Sequence, residues 1–154
     1  MLRKILFILV FSLSIGGLSA QNIVFKRVEQ PIQIDGEIDE AWNLADSAYN
    51  WVQYFPFDSS LAVNQSVAKV LFDDKNIYVL GILYSNNQDR KYVTPSLRRD
   101  FRGAANDNFT VIFDTFQDRT NAFTFGINPF GVRREGLVAN GGTGESSFSL
   151  DWDN

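Results

Sequence analysis

The stretch SVAKVLFDDKNIYVLGILYS, residues 66–85, decides the fold, because it has the pattern of a β-hairpin. Its first strand is predicted from Val67 to Phe72 and its second from Ile77 to Tyr84, since both runs are rich in strand-forming residues. The four residues between them, DDKN, are of types that tolerate turn geometry. The second run is apolar on both faces, which predicts a central position in a sheet.

More strands are predicted on the C-terminal side of this hairpin. NFTVIFDT and AFTFGIN alternate apolar and other residues, VRREGLVA gives another strand, and FSLDWDN begins one more after the flexible loop NGGTGESS. The alternation predicts one shared face in each of the first two strands, formed by Phe109, Val111 and Phe113 in one and by Phe123, Phe125 and Ile127 in the other.

Two shorter elements are predicted on the N-terminal side. PIQIDG indicates a short strand with Ile32 and Ile34 on one face, ended by a turn. EIDEAWNLADS indicates a short helical turn that presents Ile38, Trp42 and Ala45 on one side. We expect Trp42 to be a core residue that seals one end of a sandwich.

The whole pattern predicts an all-β fold. About seven or eight short strands with turn signals between them, and almost no helix, are typical of an antiparallel β-sandwich. Because the sequence stops just after the FSLDWDN strand begins, we expect the domain, residues 21–154, to be incomplete at its C-terminus.

The first twenty residues predict export. MLRK supplies positive charge, ILFILVFSL is apolar but short for a membrane span, and small residues precede a cut after Ala20. Residues 1–20 are therefore interpreted as a signal peptide, which places the mature chain in the periplasm, in the outer membrane or outside the cell.

Composition excludes several kinds of chemistry. The chain has no histidine, so Ser-His-Asp, Cys-His and His-based zinc sites are absent, and it has no cysteine. Loss of Arg3 and Lys4 with the signal peptide changes 14 basic and 18 acidic residues to a formal charge of 12 − 18 = −6. A net charge of this sign argues against nucleic acid and anionic membranes as partners.

Four stretches taken in order resemble the family 9 carbohydrate-binding modules. They are PIQIDGEIDEAW, KVLFDDKNIYVLGILY, DNFTVIFDT and NPFGVRREG, and they cover roughly residues 31–154. The last is closest to a branch in which this module opens a much larger bacterial outer-membrane or periplasmic protein. The resemblance implies a jelly-roll-like β-sandwich that binds a polysaccharide or oligosaccharide, with structural calcium in some members.

The resemblance also implies a binding site. In the sugar-binding members, an aromatic residue before the DNFTVIFDT-like strand stacks on the sugar ring, and a second aromatic residue near the C-terminus completes a clamp. The matching residue here is Phe101, where Trp is usual, and its partner would lie beyond Asn154.

The polar residues around Phe101 suit the same chemistry. Arg99 and Arg102 could donate paired hydrogen bonds to hydroxyl groups, and Asp107 and Asn108 could complete the polar contacts. The alternative is that these charges solvate one another while Phe101 anchors the loop. The exposure of Phe101 distinguishes the two interpretations.

Two further candidates come from other loops. Trp51, in YNWVQYFPFD with Tyr54, Phe55 and Phe57 beside it, is a second possible stacking platform, or else a core or inter-domain contact. Calcium prefers oxygen-rich turns, which occur in two places, although paired acids in a turn are more often turn formers. The candidate acids and amide are Asp73, Asp74 and Asn76 in one turn, and Asp114 and Asp118 in the other.

These observations predict a non-catalytic carbohydrate-binding module of an exported protein, linked to carbohydrate catabolism through a polysaccharide-degrading parent. Catalysis by this chain is not expected, because no acid is placed in an apolar pocket that would raise its pKa. The alternative is a structural or interaction β-sandwich of an outer-membrane protein that has lost sugar binding and packs against the rest of its own longer protein.

Overall fold

In a computed structural model of the chain, the structure describes residues 22–87 and 89–142, and the backbone of residues 148–149. Eight strands and three short 3-10 helices occur in these ranges, and no α-helix does. The strands form two sheets of four. This arrangement confirms the all-β class. The chain separates into two compact units, one ending at Ile82 and the other beginning at Leu83.

The first sheet is built around its third strand. β3 pairs with β1 in parallel, and with β2 in antiparallel orientation. It also pairs with β4, which follows it along the chain. The elements are β1 Lys26–Arg27, the 3-10 helix η1 Glu40–Leu44, β2 Ser47–Ala48, β3 Ser66–Phe72 and β4 Ile77–Leu83. The hairpin predicted from residues 66–85 is thereby confirmed.

One carboxylate organises the turn between β3 and β4. Asp73 Oδ1 accepts hydrogen bonds from the backbone N–H groups of Lys75 and Asn76, each at 2.7 Å. Its Oδ2 accepts one from the hydroxyl of Tyr78, also at 2.7 Å. The hydrogen bond from Tyr78, followed by that from the Lys75 N–H, lowers the pKa of Asp73 to about 2. The turn is therefore stabilised by an ionised carboxylate.

The core of this unit lies beside β3 and β4. Leu71 of β3 is completely buried, and it belongs to a cluster with Trp42 of η1 and Tyr78 of β4. Lys69 Nζ donates to the carbonyl oxygen of Trp42 at 3.0 Å, which ties η1 to β3. Burial of each large apolar side chain contributes about 1.5–3 kcal/mol. The prediction that Trp42 is a core residue is confirmed.

Two N-terminal predictions are wrong. PIQIDG forms no strand, and Ile32 is buried while Ile34 is exposed. A turn follows too closely for pairing: Asp35 Oδ1 accepts from the Glu37 N–H at 2.9 Å. Ile38 is exposed too, because η1 begins only at Glu40. Trp42 and Ala45, three residues apart, share its buried side, and Ile38 precedes it.

The position of β4 also differs from the prediction. A strand that is apolar on both faces was expected at the centre of a sheet. Within the described ranges, β4 pairs with β3 and with no other strand. It is therefore an edge strand of the described sheet.

The second sheet is a simple antiparallel meander. Its strands are adjacent in chain order, and in its register Phe109 lies opposite Ile127 and Phe113 opposite Phe123. This confirms the strands and shared faces predicted from NFTVIFDT and AFTFGIN. The bounds are β5 Phe109–Phe113, β6 Ala122–Ile127, β7 Arg133–Val138 and β8 Phe148–Ser149.

The predicted signal peptide, residues 1–20, lies outside the described residues. In the part of the chain that is described, no helix has the length and apolar character needed to cross a membrane.

We predict that Leu71→Ala lowers the free energy of unfolding by about 2–5 kcal/mol, because it opens a cavity in a fully buried site. Denaturant unfolding followed by circular dichroism measures this change. The exposed Ile34 gives the control, since Ile34→Ala should change stability by less than about 0.5 kcal/mol. Equal effects of the two substitutions would contradict the described core.

We predict that Tyr78→Phe makes stability less dependent on acid pH. The lowered pKa of Asp73 contributes stability that is fully present above its ordinary value of 3.8 and is lost as pH falls toward about 2. Without the Tyr78 hydroxyl, the variant should be less stable at neutral pH, and its deficit should shrink across that interval. Thermal unfolding at a series of pH values measures it. Tyr54→Phe is the control, and a constant deficit at every pH would refute the coupling.

Candidate functional site

The loop that contains Phe101 is fastened to β7. Asp100 has a positive φ of 59°, and its N–H donates to the carbonyl oxygen of Arg133 at 3.0 Å. Its carboxylate Oδ1 accepts from the Glu135 N–H at 3.1 Å. Arg99 pairs with Glu135, and its Nε lies 3.5 Å from Asp100 Oδ2. The Arg99 side chain thus contacts β7 and its own neighbour.

Phe101 is buried, with an exposed fraction of 4%. A ring with so little accessible surface offers no free face to a sugar. The burial therefore favours the loop-anchor alternative that the sequence left open for this residue. Arg102, directly after it, is exposed, and its carbonyl oxygen accepts from the Asn106 side-chain amide at 2.8 Å.

Asp107 and Asn108 close the same loop. Asp107 Oδ2 accepts from the Val93 N–H at 2.8 Å, and the Asp107 N–H donates to the Val93 carbonyl oxygen at 2.7 Å. Asn108 Nδ2 donates to the carbonyl oxygens of Gly103 and Asn106, while its Oδ1 accepts from Thr110 Oγ1 at 2.7 Å. These groups have local partners, so the structure brings them together as parts of a folded loop.

The loop passes close over β7 at Gly103. A Cβ atom at this position would lie 2.9 Å from Nη1 of Arg134, which is closer than real Cβ contacts. Glycine therefore lets the backbone approach the guanidinium group. A sequence pattern cannot show this contact, because Gly103 and Arg134 are far apart along the chain.

A second loop presents aromatic rings to solvent. We call residues 51–61 the aromatic loop. Its ends are joined by an antiparallel bridge between Val52 and Leu61, and the Gln53 N–H donates to the Ser60 carbonyl oxygen at 2.9 Å. The Trp51 carbonyl oxygen accepts from the Ala62 N–H at 2.8 Å. The base of the loop is therefore a short hydrogen-bonded ladder.

Four aromatic side chains of this loop are exposed. The exposed fractions are 44% for Trp51, 92% for Tyr54, 80% for Phe55 and 73% for Phe57. Single exposed apolar residues are ordinary, whereas several large ones close together along one loop make it a candidate binding surface. The sequence named Trp51 alone as a site residue. The sequence feature that pointed to the other three is that four of the seven residues from 51 to 57 are aromatic.

The acidic turns considered for calcium are occupied by internal hydrogen bonds. Asp114 accepts from the backbone N–H groups of Asp118 and Arg119, and Asp118 accepts from the N–H groups of Thr120 and Asn121. The side-chain hydrogen bond from Asn121 is the main cause that lowers the pKa of Asp118. Among the described residues, no group of three or more acids, histidines or cysteines could hold a metal ion.

Comparison with known proteins yields no relatives. No protein-family model, no curated protein and no solved structure matches this chain.

We predict that Phe101→Ala lowers the free energy of unfolding by about 3–5 kcal/mol, because it removes a buried ring. Phe57→Ala is the same chemical change at an exposed site, and it should cost less than about 0.5 kcal/mol. Chemical denaturation of the two variants in parallel measures the difference. Equal stability of both variants would contradict an anchoring role for Phe101.

Proposed function

We propose that this chain is a non-catalytic carbohydrate-binding domain whose binding surface is the aromatic loop. The observation that carries the proposal is the exposure of Trp51, Tyr54, Phe55 and Phe57 on a loop with a hydrogen-bonded base. Flat aromatic faces cover the C–H-rich faces of sugar rings, and a fixed base limits the conformational entropy lost on binding.

The charge of the loop favours a neutral ligand. Asp58 is the only charged residue between Trp51 and Leu61, and the chain as a whole has a formal charge of −4. A basic residue would be expected where an acidic polysaccharide or a phosphate is recognised. An uncharged polysaccharide or oligosaccharide therefore fits better. Uncharged polar groups within the loop include the hydroxyls of Tyr54, Ser59 and Ser60, and the amide of Gln53, which donates to the Phe55 carbonyl oxygen at 2.6 Å.

The proposal includes the family and the setting that the sequence indicated. Under this proposal the complete domain is a jelly-roll-like β-sandwich resembling the family 9 modules. The chain is exported, and it serves a larger protein that acts on polysaccharides. In this proposal the chain binds the polysaccharide and so directs the parent protein to it, and other parts of the parent protein carry out the catalysis.

A second candidate function is a structural or interaction domain. It is favoured by the burial of Phe101, and by Asp107 and Asn108, whose side chains are held by contacts within their own loop. In this case the exposed rings of the aromatic loop would contact a protein partner. The two candidates differ in whether isolated glycans bind.

The test is a glycan-binding screen of the folded domain by calorimetry, using neutral cello- and xylo-oligosaccharides. Tyr54→Ala and Trp51→Ala should each weaken binding about tenfold or more, which corresponds to about 1.4 kcal/mol. Phe130→Ala is the control, because Phe130 is an exposed ring in the other unit. Absence of binding to every glycan would refute the proposal, and binding that survives both loop substitutions would refute the assignment to this loop.

A further inference from the structure

β4 has one side without a partner strand. This seven-residue strand pairs with β3, and none of the other described strands pairs with it. Its second row of backbone N–H and C=O groups therefore faces away from the described sheet. Such a row is a template for another strand, and it specifies the geometry of what it binds.

The sequence of β4 lacks the devices that normally block an edge. IYVLGIL contains no charged residue and no proline. The two-residue strands on β3 are different: Lys26 and Arg27 of β1 form ion pairs with Asp46 and Asp74 at 2.8 and 2.7 Å. Short strands and charges are the usual protection against edge-to-edge association. β4 is thus the long, unprotected edge of a sheet whose other strands are protected.

The side chains of β4 also fit a central strand better than an edge. Tyr78 is buried and Leu80 packs against the core cluster, so one face is already occupied. The other face carries Ile77, Val79 and Leu83, which are apolar as well. Strands with two apolar faces are typically flanked by neighbours on both sides.

We propose that β4 pairs with β4 of a second copy of this chain, antiparallel across a two-fold axis. With the axis at Leu80, Ile77 lies opposite Leu83 of the partner, and Val79 lies opposite Gly81. No charged residue meets a like charge within this pairing, although each chain is negative overall. In this register, the DDKN turn before β4 lies opposite the uncharged residues YSNN that follow β4 in the partner. The same residues of both chains form the contact, so the interface is closed, as two-fold interfaces are.

This inference is independent of the carbohydrate proposal, since it uses backbone groups of β4 and none of the residues of the aromatic loop. The pairing joins the sheet that contains β3 and β4 in one chain to the same sheet in its partner, which gives one continuous sheet across the two β4 strands. The source of the added strand is the second copy. A chain that stays monomeric overturns this assignment and leaves the edge to a strand from the rest of the longer protein or from another protein.

The experiment uses sedimentation velocity of the full chain over a concentration series. The unmodified chain should show a monomer–dimer equilibrium. The double variants I77K/L83K and I77E/L83E each place like charges opposite each other at both ends of the strand pair. Each should raise the dimer dissociation constant at least about tenfold. An equimolar mixture of the two should restore the dimer, because lysine then faces glutamate.

Ile112→Lys is the matched control. Ile77, Leu83 and Ile112 are 56%, 57% and 58% exposed, and Ile112 lies on β5, an edge strand of the other sheet. It should leave the dimer intact. An unmodified chain that stays monomeric at every concentration would overturn the proposal, and so would a dimer that Ile112→Lys disrupts while the β4 variants do not.

Hydrogen exchange gives a readout that does not require the variants to fold. The backbone amides of residues 77–83 in the unmodified chain should exchange more slowly in concentrated than in dilute solution, because half of them acquire a partner only in the dimer. Exchange at these amides that is independent of concentration would overturn the proposal.

Discussion

The first unit depends on a single carboxylate in a tight turn. Asp73 accepts hydrogen bonds from two backbone N–H groups and from the Tyr78 hydroxyl, so it fixes both the turn and the first buried side chain of β4. β3, the strand that leads into this turn, pairs with β1, β2 and β4. Leu71, two residues before Asp73, then lies at the centre of the core cluster. This local interaction of six residues therefore fixes the hairpin around which the sheet of the first unit is built.

The two loops considered for ligand binding differ in whether their side chains contact the protein or the solvent. In the loop around Phe101, charged and amide groups bind the loop's own backbone and β7, and the aromatic ring is covered. In the aromatic loop, backbone hydrogen bonds close the base and the rings extend into solvent. A buried polar group needs a hydrogen-bond partner, whereas an exposed aromatic ring can exchange its contact with water for contact with a ligand. The second arrangement is the one that leaves surface free for a ligand.

The alternation of residues predicted the strands well, because a period of two is a local property of the chain. β3 to β7 follow the predicted runs closely. Ile34 and Ile38 were placed wrongly, because a turn directly follows Ile34 and the 3-10 helix begins only after Ile38. The burial of Phe101 could not be read from the sequence either. The same sequence is compatible with a loop that covers the phenylalanine and with one that exposes it. The contact between Asp100 and Glu135, which fastens the loop to β7, joins residues that are far apart along the chain.

The closed base of the aromatic loop has a consequence for how this domain can diversify. Because the bridge between Val52 and Leu61 and the Gln53–Ser60 hydrogen bond use the ends of the loop, the residues between them carry little of the structure. We therefore expect changes in the length or sequence of the tip to leave the β3–β4 hairpin undisturbed. Under the proposed function, this property separates the choice of ligand from the folding of the unit that carries the loop.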